Sequence, residues 1–94
     1  MFVKQGFMLI NTDNVVAISI YKLNGCEPEL ERFYLKFWLN FFVDDEDKKT
    51  PDQQYESLIA EDLEQAKLFH SVIAEAIATG VKLLDLDLIE KKEN

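Results

Sequence analysis

Residues 32–43, RFYLKFWLNFFV, carry an apolar side chain at every odd position: Phe33, Leu35, Phe37, Leu39, Phe41 and Val43. Successive side chains of an extended chain point to opposite faces, whereas a helix brings together positions three and four apart, so a sustained alternation specifies a strand. At ~3.3 Å per residue such a strand would run about 40 Å, longer than a small domain is wide, and it is expected to twist or bend. The odd face is expected to build the core.

The even positions are Arg32, Tyr34, Lys36, Trp38, Asn40 and Phe42. Solvated sheet faces usually carry Thr, Lys, Glu and Ser. Aromatic side chains with polar groups between them match the make-up of protein interfaces. This face therefore has two readings: a docking surface, with Tyr34, Trp38 and Phe42 as anchors and Arg32, Lys36 and Asn40 orienting them, or a second part of the core covered by C-terminal elements.

The remaining segments surround this strand. Residues 7–10 read as a strand ended by Asn11-Thr12-Asp13-Asn14, whose short polar side chains bond their own backbone in turns. Residues 15–21 are rich in β-branched residues and should pair with 7–10 as a hairpin, with Val16, Ile18 and Ile20 on one side and Val15, Ala17, Ser19 and Tyr21 on the other. Asn24-Gly25 and Pro28 supply a second reversal. Residues 44–54, DDEDKKTPDQQ, have no period and read as an exposed acidic loop, followed by a weaker strand over 55–60.

From about residue 61 to 79 the period changes to that of a helix: Leu63, Ala66, Phe69, Ile73, Ala76 and Ile77 recur at three and four residue steps. Glu61, Asp62 and Glu64 suit its positive end, and Gly80 followed by Lys82 suits its stop. Residues 81–89 alternate as a fifth strand, and 90–94 form a charged tail. The expected architecture is α+β: one domain over residues 1–94, an antiparallel β-meander of four to five strands closed by one long amphipathic helix.

Charge narrows the partners. With 18 acidic against 10 basic residues and a net charge of −8, direct nucleic-acid binding is disfavoured, because phosphate-binding surfaces concentrate the opposite sign. The lone Cys26 permits no intrachain disulfide, which points to a reducing compartment. Residues 1–10 lack the uninterrupted apolar core of a secretory signal, and no run approaches the ~18 apolar residues of a membrane helix. The expectation is a soluble cytoplasmic protein.

No constellation in the chain specifies catalysis. Counting a calcium loop from Asp45 puts Lys49 where an oxygen ligand is needed and Thr50 where glycine is needed. Asp85 and Asp87, two apart on the expected strand, would face the same way, but no histidine stands nearby. His70 has no recognisable triad order with Lys67, Ser71 or Glu75, and the three glycines form no phosphate cradle. The sequence thus predicts a non-enzymatic module without metal or cofactor that associates with copies of itself or a protein partner through the aromatic face. A small-ligand pocket lined by Trp38, Tyr34 and Lys36 between protomers or between sheet and helix is one alternative. An acidic DNA mimic using Asp44, Asp45, Glu46, Asp47, Glu61, Asp62 and Glu64 is another.

Overall fold

The fold, given by a computed structural model that describes residues 1–23 and 32–89, contains two three-stranded sheets and one long helix. The strands are β1 (Phe2–Gln5), β2 (Met8–Asn11), β3 (Val15–Leu23), β4 (Arg32–Val43), β5 (Asp52–Ala60) and β6 (Leu83–Asp85), with α1 spanning Leu63–Thr79. The expected reversal at 24–31, Cys26 and the tail at 90–94 lie outside the described residues.

The alternating segment is β4, the central strand of the sheet β3-β4-β5, and both of its pairings are antiparallel. This is an antiparallel meander closed by the helix, as expected, but it has three strands rather than four to five, because β1, β2 and β6 form a sheet of their own. Leu35 and Phe37 are fully buried, and they join Leu58 and Ala60 of β5 and Ala66, Phe69 and Ile73 of α1 in one cluster. Val3, Ile10 and Leu86 add the second sheet to that cluster, so sheet, helix and small sheet share one core.

Local chemistry explains the limits of α1. Asp62 is the N-cap, its carboxylate accepting from Gln65 N at 2.7 Å, and the Gln65 side chain in turn accepts from Glu61 N at 2.8 Å. The first bond satisfies a donor that the first turn leaves without a helical partner, and the second ties down the residue just before the cap. At the other end Gly80 takes the left-handed conformation, φ 77°, with its N–H on Ala76 and Ile77 carbonyls.

The structure corrects four expectations. First, residues 7–10 do not pair with β3. β2 pairs with β1 through the loop Gly6-Phe7, where Gly6 supplies a φ of 56° at the first loop position, as II′ hairpins require. The Asn11–Asn14 segment still turns, with Asn11 accepting from Asp13 N, but it carries the chain from one sheet to the other.

Second, the face assignment of β3 breaks at its start. Val15 pairs with Leu39 and Ala17 with Trp38, so a β-bulge absorbs Val16, leaves it exposed and turns Val15 toward the core. Third, β5 begins at Asp52, which shortens the exposed loop and makes β4 and β5 one long hairpin. Phe41 and Val43, on the odd face, are 58% and 44% exposed, because this end of the hairpin runs past the core.

Fourth, the last strand is only three residues long and runs parallel to β1. The Asp85 carboxylate accepts from Asp87 N at 3.0 Å, which turns the chain into a short 3-10 segment over Leu86–Leu88. Asp87 then bonds Gly6 N at 2.8 Å, and Lys4 lies 3.6 and 3.5 Å from Asp85 and Asp87. The two carboxylates hold the β1–β2 hairpin to the C-terminal segment.

Candidate interaction surface

Side chains of paired residues share a face, so the register of the meander shows what joins the even positions of β4. Tyr34 pairs with Tyr21 and Ile59, Lys36 with Ser19 and Ser57, and Trp38 with Ala17 and Tyr55. Tyr34, Lys36 and Trp38 are half-buried, while Tyr21 and Tyr55 are 40% and 47% exposed. None of these residues belongs to the buried cluster. Helix α1 packs on the opposite face with Leu35 and Phe37, so C-terminal elements do not make this face a second core among the described residues.

The face is organised around an ammonium. Lys36 Nζ lies 4.2 Å from the ring centroid of Tyr21, 4.3 Å from that of Tyr55 and 5.0 Å from that of Trp38. Ring faces are electronegative, so each contact is attractive, worth ~0.5–1 kcal/mol where water still has access. Among the described residues no carboxylate lies within ion-pair distance of Lys36.

The rings also hold one another. Trp38 and Tyr55 stand 5.2 Å apart, tilted by 55°, and Tyr21 and Tyr34 6.4 Å apart, tilted by 43°. Trp38 Nε1 donates to Ser19 Oγ at 3.1 Å, which satisfies the polar edge of the half-buried indole.

The six positions singled out in the sequence are not all together. Tyr34, Lys36 and Trp38 sit in the cluster, whereas Arg32 is exposed at one end of β4 and Asn40 and Phe42 are exposed at the other. Between Trp38–Tyr55 and Phe42–Gln53 the β4–β5 ladder slips, and the Gln53 side chain donates to the Leu39 carbonyl at 3.0 Å. Tyr55 and Gln53 are two apart on β5, so their partners Trp38 and Phe42 remain on one face.

Tyr21, Ser19 and Tyr55 complete the site, and sequence reasoning did not assign them to it. Their signal was strand parity: each occupies an odd position, and an antiparallel register with β4 brings odd positions of its neighbours beside its even ones. Finding that register needed the β3 bulge and the true start of β5.

Two grooves lie elsewhere. One, of about 780 Å³, runs between β3 and α1 past Val16, Ile18, His70 and Ile77. There His70 Nε2 donates to the Ile18 carbonyl at 3.1 Å, tying the helix to the outer strand of the sheet. The other, of about 660 Å³, lies between β2 and the exposed end of β4. Neither is lined by Tyr34, Lys36 or Trp38.

Acidic residues of the β4–β5 loop are partly engaged locally: Asp45 accepts from Asp47 N at 3.0 Å, and Lys48 reaches Asp52 at 2.9 Å. Among the described residues no helix is long and apolar enough to cross a membrane, and no three His, Cys, Asp or Glu side chains are grouped to hold a metal ion. No protein-family model, curated protein or solved structure matches this chain.

Proposed function

We propose that this protein is a non-enzymatic interaction module that associates with copies of itself through the outer face of β3-β4-β5. The observation that carries the reading is the ring-enclosed Lys36 ammonium on a sheet face outside the core. A cluster of Tyr and Trp side chains with one fixed cation has the composition of an interface anchor region. Its rings are already locked by mutual contacts and by the Trp38–Ser19 bond, so little side-chain freedom remains to be lost on docking.

The balance of buried and exposed apolar residues supports the same reading. Among the described residues the buried hydrophobic set includes only three side chains of β4 and β5 larger than alanine, Leu35, Phe37 and Leu58. Phe42, Tyr55 and Ile59, on the outer face of the same two strands, are exposed. Covering such a surface with a second copy removes apolar area from water at about 25 cal/mol per Å².

Sedimentation equilibrium from about 1 to about 300 μM, the range where micromolar affinities show, tests the reading. The mass should rise above 10.9 kDa with concentration, and Trp38→Ala and Tyr55→Ala should each hold it near the monomer value. A strict monomer throughout removes the proposal.

A further inference from the structure

We infer that the second copy seats antiparallel on this face, with a two-fold axis at Asn40, so that Lys36 of each copy meets Asp44 of the other and Trp38 meets Phe42. This rests on the proposed self-association and specifies its geometry.

When the strands of two stacked faces stay roughly aligned, a two-fold axis between them runs either close to the strand direction or close to its perpendicular. With the axis along the central strand, each residue of β4 faces its own copy, which puts Lys36 on Lys36 and the acidic end of β4 on itself. With the axis across the strands, the chains run antiparallel and positions equidistant from the axis meet. Isologous pairing therefore favours the antiparallel arrangement on charge grounds alone.

The position of the axis follows from what each register leaves unmatched. An axis at Trp38 would set Lys36 against Asn40 and cover an ammonium that has no carboxylate within ion-pair distance among the described residues. Covering a charge without an opposite partner is costly. An axis at Asn40 sets Lys36 toward Asp44, an exposed acid directly after β4. It also lays the half-buried Trp38 over Phe42, which is 53% exposed and on the same face. Stacked sheets cross at about 30°, so the outer pair is displaced sideways, yet it stays within the ~8–10 Å Debye length over which the charges interact.

Charge reversal tests the register. Lys36→Glu makes the chain more acidic and Asp44→Lys makes it less acidic, so net charge alone would weaken association in the first and strengthen it in the second. Direct opposition predicts that each single reversal raises the dissociation constant about tenfold or more, and that the double variant returns it to within about threefold of the parent. Circular dichroism melts of all three variants establish that they remain folded. Association that Asp44→Lys strengthens, or that the double variant fails to restore, overturns the register. If Trp38→Ala still dissociates the parent assembly in that case, the face itself stands. Restoration by Arg32→Glu with Asp44→Arg would instead move the axis to Trp38. A parent chain that never associates removes both claims.

Discussion

Phe37 and Phe41 are the same residue on the same strand, four positions apart and equally placed in the apolar alternation, yet the structure separates them. Phe37 is fully buried against the Leu35 and Leu58 cluster, whereas Phe41 is 58% exposed on the part of the hairpin beyond the core. Replacing a buried phenylalanine by alanine costs about 3–5 kcal/mol in lost transfer energy and cavity. A chain of this length has roughly 5–14 kcal/mol of total stability, and each kcal/mol moves its melting temperature by about 4–8 °C. Phe37→Ala should therefore lower the midpoint by at least ~12 °C or leave the chain unfolded, whereas Phe41→Ala should stay within about 0.5 kcal/mol of the parent. Thermal melts and urea titrations followed by far-ultraviolet circular dichroism, at a concentration low enough to exclude association, give the two numbers. Equal destabilisation by the two substitutions would refute the separation and return the whole odd face to the core.

Three further outcomes follow from named contacts. Asp87→Ala removes the acceptor of Gly6 N and an ion-pair partner of Lys4; both are partly solvated, so a loss of about 1 kcal/mol is expected in the same titration. Gly80→Ala meets open space but forces a Cβ into φ 77°, so it should cost about 1 kcal/mol and lower the melting temperature by ~4–8 °C. Because each protomer carries −8, self-association measured by sedimentation should strengthen as sodium chloride rises from about 20 to about 300 mM, while capture of a basic protein by a DNA mimic would weaken.

Much of the architecture was legible wherever a period ran long. The alternation of residues 32–43 is β4, and the helical period is α1, with Ala66, Phe69, Ile73 and Ala76 buried. What periodicity does not carry is partner choice. Residues 7–10 had a strand's composition, but Gly6 makes their partner the preceding segment rather than the following one. The leucine-aspartate alternation of 83–88 ended early because the Asp85 carboxylate bonded the backbone two residues on, a competition between side chain and ladder that apolar spacing does not register.

The candidate site was legible in part for the same reason. Tyr34, Lys36 and Trp38 follow from β4 alone, but Tyr21 and Tyr55 enter only through cross-strand register, which a bulge at Val16 and a slip after Trp38 both alter. Phe42 and Asn40 share the strand without sharing the ring contacts, since the hairpin outruns the core beneath it.

Trp38 is the only tryptophan in the chain, so its fluorescence reports on the proposed docking face without labelling. Acrylamide quenching across the sedimentation range should weaken in step with the rise in mass as the second copy closes over the indole. Rising mass with unchanged quenching would place the contact on another surface and contradict the account.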